Sequence, residues 1–148
     1  MAGKKSKEIK TLLRVQGWSV DEQRRMLNQL LDREQQLIAD GERMDLQLLH
    51  EQRVAAADPS MAGHAYVAYA KAHRIKRDNI NTLLTALRVE IEKQRDLLAE
   101  AYKELKVLEQ VQKKWLEAER KEEARLEQIN LDEIAQNLYR RQQALEAS

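Results

Sequence analysis

The chain has 148 residues, 26 basic and 25 acidic side chains, a net charge of +1 and no cysteine or phenylalanine. This composition is typical of long helices and argues against a β-rich or mixed fold, and a 4% aromatic content leaves little material for a thick globular core. The interleaved charges create no field that would attract nucleic acid, and no apolar run approaches the roughly 20 residues of a membrane span. We therefore expect an elongated all-α protein.

Helix one is predicted to run from about residue 7 to residue 57. Its apolar residues recur at alternating steps of three and four, which is the spacing of a coiled-coil seam. The seam residues are Ile9, Leu13, Val20, Leu27, Leu30, Leu37, Met44, Leu48 and Ala55. Because Gly17 costs a helix only about 1 kcal/mol relative to alanine, we expect no break there. The basic residues around the start of this seam are interpreted as a frayed, solvated terminus, namely Lys4, Lys5, Lys7 and Lys10.

The Asp58-Pro59 pair ends helix one, because the residue before a proline is pushed out of the α region. We predict a turn over about residues 58–63, followed by helix two over about residues 64–142. Helix two has the most regular seam in the chain: Ile80, Leu84, Leu87, Ile91, Leu98, Ala101, Leu105 and Leu108. Gln94 is the polar member of that series. It either sets the register of the two helices or turns its amide towards solvent, and we expect the second.

The two seams predict a single antiparallel coiled-coil hairpin over residues 1–148. If the chain reverses between Ser60 and Met61, residues whose numbers sum to about 121 face each other. Helix one then ends opposite about residue 116, which leaves residues 117–142 as a C-terminal overhang. Leu131, Ile134 and Leu138 share one face of this overhang. A lone helix with an apolar stripe is unstable in water, so we expect it to be covered by a partner protein, by a second copy or by the hairpin itself.

No residue pattern indicates chemistry. The sequence has no glycine-rich phosphate loop, no cysteine nucleophile and no helical His-Glu pair of the zinc-enzyme type. His50 and His73 should lie near each other across the hairpin, but no third ligand accompanies them. We therefore predict no catalytic residue, no metal site and no cofactor.

Four segments carry a family resemblance: Lys10-Thr11-Leu12-Leu13-Arg14-Val15, Tyr66-Val67-Ala68-Tyr69, Lys113-Lys114-Trp115-Leu116-Glu117 and Leu131-Asp132-Glu133-Ile134-Ala135-Gln136. Over nearly its whole length the chain resembles the flagellar FliJ family, the coiled-coil stalks of type III export ATPases. It is similar in outline to the counterparts in virulence secretion systems. The last segment and the two tyrosines are the most specific matches.

The resemblance implies a non-enzymatic stalk whose terminal ends enter the central hole of a hexameric export ATPase. The implied ring-facing residues are Ile9, Leu12, Leu126, Ile129, Leu131, Asp132, Glu133, Ile134 and Leu138. The family also implies contacts with export chaperones and with the cytoplasmic domain of the export gate. The implied gate contacts, for which seam packing is the alternative, are Met44, Leu48, Tyr66, Tyr69 and His73.

The resemblance further implies a cytoplasmic protein, a monomer when free, that associates peripherally with the inner membrane through the export apparatus. No nucleic-acid partner and no transmembrane segment are expected. Two alternatives remain open at this point. One is a self-assembling structural coiled-coil protein whose overhangs pair with each other, and the other is the equivalent stalk of a virulence secretion system.

Overall fold

The chain folds as an all-α helical hairpin, as predicted. The structure is a computed structural model that describes residues 2–147, apart from the side chains of residues 2, 61 and 62. Two helices account for the described chain, α1 over Ala2–Ala57 and α2 over Pro59–Ala147, and this part of the chain contains no strand. Helix α1 passes through Gly17 without a break, as the unchanged phase of its seam predicts.

The helices extend further than their predicted bounds, and the turn is shorter. Only Asp58 lies between them, because α2 already begins at Pro59. A proline fits the first turn of a helix, where its missing N–H would have no partner in any case. Ser60 Oγ donates a hydrogen bond to Asp58 Oδ1 at 3.1 Å, which ties the non-helical residue to the new helix. The predicted reversal point involves Met61, whose backbone is helical and whose side chain lies outside the described residues.

The chain divides into two compact units, each of which takes one stretch from each helix. Unit 1 comprises Met1–Gly17 and Lys103–Ser148, and unit 2 comprises Trp18–Tyr102.

Unit 2 contains the apolar core. Its centre is a cluster of buried residues from both helices: Leu37, Ile80, Leu84, Leu87 and Ile91. Partly buried residues of α1, such as Leu27, Leu30 and Met44, pack against this cluster. Leu31 and Ile38 also pack against the cluster. Apart from these two, every residue of the cluster and every residue packed against it occupies a predicted seam position.

Polar contacts across the seam of unit 2 show that the helices run antiparallel. Arg88 Nε lies 3.3 Å from Glu34 Oε2, and His73 Nε2 lies 3.0 Å from Asp45 Oδ1. As the residue number rises on α1, the number of its partner on α2 therefore falls. Each of these partners lies within four positions of the one that the predicted register assigned.

Gln94 differs from its predicted orientation. The residue is only 7% exposed, and its Nε2 donates to the Gln23 backbone oxygen at 3.1 Å and to Gln23 Oε1 at 2.6 Å. The expectation that the amide faces solvent is therefore wrong. A buried amide without partners would be costly, and Gln23, itself a polar position of the α1 seam, supplies the acceptors.

Unit 1 pairs the start of α1 with the middle of α2. Ile9 is 3% exposed, and Lys5 Nζ lies 6.0 Å from the centroid of the Trp115 ring. Residues 4–10 are helical, so the expected fraying of the N-terminal lysines does not describe this structure. Glu119 is the last residue of α2, over its described length, that is partly buried.

Candidate functional site

The C-terminal part of α2 in unit 1 presents apolar side chains that nothing in the described chain covers. Every side chain from residue 120 to residue 147 is exposed, and we call this segment the overhang. Leu131, Ile134 and Leu138 are 55%, 56% and 59% exposed. Each of the three keeps more than half of its surface exposed, although their spacing is that of a packed seam.

The overhang carries a second, smaller apolar face. Leu126 and Ile129 continue the three-four series of the α2 seam, whereas Leu131, Ile134 and Leu138 are out of phase with it. At about 100° per residue the two faces are separated by roughly 140° around the helix axis. The structure leaves both of them in solvent, with Leu126 50% and Ile129 41% exposed.

Charged residues of the overhang are held by contacts along the helix. Glu122 accepts two hydrogen bonds from Arg125, one from Nη2 at 2.7 Å and one from Nε at 3.0 Å. These bonds and the charge of Arg125 lower the pKa of Glu122, and the carboxylate in turn raises the pKa of Arg125. Asp132 accepts a hydrogen bond from Gln128 Nε2 at 3.1 Å, and Glu133 is exposed beside it.

The two implied ring-facing residues of α1 differ in exposure. Leu12 is 53% exposed, whereas Ile9 is buried. Ile9 therefore contributes to packing inside unit 1 and is not available on its surface. Seam periodicity already placed Ile9 on the inward stripe, while Leu12 lies outside that stripe.

The implied gate residues all belong to unit 2, and all are partly buried. This holds for Met44, Leu48, Tyr66, Tyr69 and His73. Met44 packs against the core cluster, and the His73 side chain is 13% exposed and bonded to Asp45. Their inward position fits seam packing, and a role in partner binding stays a prediction. More exposed apolar residues of the same unit, which periodicity gave no reason to select, include Leu46 at 67% and Val67 at 66%.

A polar cluster interrupts the seam of unit 2 near these residues. The Arg77 guanidinium lies against Gly41, where an added Cβ would collide with its Nη1 atom. Arg77 Nη2 is 3.5 Å from Asp45 Oδ2, while Nη1 is buried without a hydrogen-bond partner in the described chain. The Arg77 guanidinium covers Gly41, which is buried. Because glycine has no side chain, it leaves the space that the guanidinium occupies.

Sequence reasoning missed the surface that surrounds Trp115. Lys113 and Lys114 are exposed, and neither is ion-paired within residues 2–147. Lys5 of α1 reaches the same region through its contact with Trp115. Lys5 and Trp115 are about a hundred positions apart in the sequence, and the signal that could have found this surface is the predicted register, since 5 and 115 sum to 120.

Within residues 2–147 no group of three or more His, Cys, Asp or Glu side chains is arranged to hold a metal ion. Nor does either helix, over its described length, contain a stretch apolar enough to span a lipid bilayer.

The candidate site is thus a helical surface suited to protein contacts. The family model described as Flagellar FliJ protein matches residues 5–144. The chain belongs to the flagellar FliJ family. FliJ membership makes it a component of flagellar protein export with a stalk-type, non-catalytic role. No curated protein and no solved structure matches the chain significantly.

Proposed function

We propose that this FliJ protein is a non-enzymatic stalk and coupling factor that inserts its terminal end into the hexameric export ATPase. The observation that carries the proposal is the apolar face of Leu131, Ile134 and Leu138, which the described chain leaves in solvent on a single helix. A single helix is narrow enough to enter an axial hole, and apolar side chains at more than half exposure stabilise little until a partner buries them.

The ring-facing surface then consists of Leu12 and of exposed residues of the overhang: Leu126, Ile129, Leu131, Asp132, Glu133, Ile134 and Leu138. Full burial of a leucine or isoleucine is worth roughly 1.5–3 kcal/mol. Because the three residues of the main face are each 55–59% exposed, their burial could contribute roughly 2.5–5 kcal/mol, before the cost of association is subtracted. The coupling role adds contacts with the export gate and with export chaperones, which we assign to unit 2. In this role the protein acts in the cytoplasm and reaches the inner membrane only through the export apparatus.

Binding to the export ATPase tests the proposal. In a pull-down with the cognate ATPase, Leu131→Asp combined with Ile134→Asp should abolish capture, because two carboxylates cannot be buried without partners. The matched control is Leu83→Asp combined with Val89→Asp, which replaces two half-exposed apolar residues of α2 in unit 2, outside the ring-facing surface, and should leave capture intact. Circular dichroism should show equal helicity in both variants. Undiminished capture by the Leu131 and Ile134 double variant would refute the assignment of the overhang.

A self-assembling structural role is the second candidate, because the spacing of Leu131, Ile134 and Leu138 is also that of a coiled-coil seam. Sedimentation separates the two. The stalk role predicts a monomer at micromolar concentration, whereas self-assembly predicts a dimer or larger species that the same double variant dissociates.

A further inference from the structure

The pairing of helices in unit 1 concentrates positive charge up to and including the first two residues of the overhang. Residues 2–17 and 103–121 together hold eleven basic and five acidic side chains, a net charge of +6, and we call this surface the basic collar. Residues 122–147 hold six acidic and three basic side chains, a net charge of −3. The overall net charge of +1 hides this separation, since the remaining residues balance it.

The collar is a surface of the folded chain and not two unrelated lysine clusters. Lys5 Nζ stands 6.0 Å from the Trp115 ring centroid, a cation–π distance, so the start of α1 is packed beside the helical turn that carries Lys113 and Lys114. Lys113, Glu117 and Arg120 line one shallow depression with Leu116, which is 52% exposed. Exposed lysines, a partly exposed tryptophan and an open leucine therefore form one patch.

The placement of these charges is unfavourable for the free protein. The first turn of α1 has no acidic residue, and Lys4 and Lys5 stand where the helix dipole is positive. Lys113 and Lys114 form no ion pair with a carboxylate among the described residues. A negatively charged surface of a partner would offset the unfavourable interaction of Lys4 and Lys5 with the helix dipole. It would also supply the carboxylates that Lys113 and Lys114 lack.

We propose that the basic collar docks on an acidic rim of the protein that receives the overhang, which refines the ATPase-binding role and depends on it. The negative segment beyond the collar favours a protein over a membrane or a nucleic acid. A phosphate surface would attract the collar and repel the adjoining carboxylates, such as Asp132 and Glu133, whereas a folded protein can present an acidic rim to one and a separate apolar wall to the other.

The ionic-strength dependence of ATPase binding tests this proposal. We expect Lys113→Glu combined with Lys114→Glu to weaken binding at least about tenfold at 50 mM salt and to flatten its salt dependence, because opposed charge patches act through screened Coulomb attraction. The matched control is Lys71→Glu combined with Lys76→Glu, which reverses two exposed lysines of unit 2 and should bind like the wild type. Helicity measured by circular dichroism should be unchanged in both.

Each result separates the collar from the stalk role. If Lys113→Glu with Lys114→Glu binds as tightly as the wild type while Leu131→Asp with Ile134→Asp does not bind, the collar proposal is overturned and the stalk role stands. If the wild type fails to bind the ATPase at any salt concentration, both are overturned. Binding of the wild type to vesicles with 30% phosphatidylglycerol, lost in the lysine double variant, would overturn the acidic protein rim in favour of lipid.

Discussion

Truncation of Ile91 should destabilise unit 2 more than any change on its outer surface. Ile91 is 3% exposed and lies in the core cluster with Leu87 and Leu84. Ile91→Ala removes three carbon atoms, which at about 0.8 kcal/mol each gives roughly 2.4 kcal/mol of lost transfer free energy. A cavity contribution adds to this value, but a two-helix seam is open on its flanks and can partly collapse. We therefore expect a loss of about 2–3 kcal/mol in the free energy of unfolding.

The matched control is Val89→Ala, two residues away on the same helix. Val89 is 52% exposed, and alanine is the better helix former, so its free energy of unfolding should change by about 0.5 kcal/mol or less. Urea unfolding should be followed by circular dichroism and by the fluorescence of Trp18, which lies in unit 2. A Trp115→Phe background removes the other of the two tryptophans. Equal losses for the Ile91 and Val89 variants would show that the core does not lie where the structure places it.

Two further predictions concern polar contacts. Gln94→Leu should raise the free energy of unfolding by about 1 kcal/mol, because burial of a leucine outweighs the net worth of the hydrogen bonds to Gln23. A leucine variant that is less stable in urea than the wild type would contradict this. In unit 1, Arg125→Gln should raise the pKa of Glu122 towards its ordinary value in a carbon-detected NMR titration. Because the pKa of Glu122 is lowered in the folded chain, its contact with Arg125 stabilises the helix fully at a pH above the ordinary glutamate pKa. This stabilisation is lost as the pH falls through the lowered pKa of Glu122. A titration of Glu122 that does not change in the Arg125→Gln variant would rule the contact out.

The periodicity of the sequence predicted the inward faces of both helices well. Positions such as Ile9, Val20, Ile80 and Ala101 are buried where the three-four series placed them. This works because a helix in a two-helix seam has one buried stripe, and the period of apolar residues reports its phase directly. The length of the turn was harder to predict. The Asp58-Pro59 pair fixes where helix one stops, but it does not say at which residue the next helix begins.

Contacts between distant residues could not be predicted from periodicity. The stripe places Gln94 on the inward side but does not say that Gln23 will meet its amide, because that depends on the offset between the helices. The basic collar is a different case, because the predicted register already sets Lys5 opposite residue 116, but the charge that the two segments bring together becomes visible only when they are counted as one surface. Lys5 and Trp115 become neighbours only after the helices pair, and each looks like an ordinary surface residue in its own segment.

The phase difference on the overhang bears on which partner it accepts. A second copy that paired along the overhang as a coiled coil would need one continuous stripe, because each helix of such a pair buries only one side. Leu126 and Ile129 lie on one side and Leu131, Ile134 and Leu138 on another, roughly 140° away at 3.6 residues per turn. Two helices in a dimer could therefore cover one set and would leave the other 41–59% exposed, as in the free chain. A partner protein that surrounds the helix can cover both sets of residues. The two faces of the overhang therefore favour burial in the cavity of a partner over pairing with a second copy.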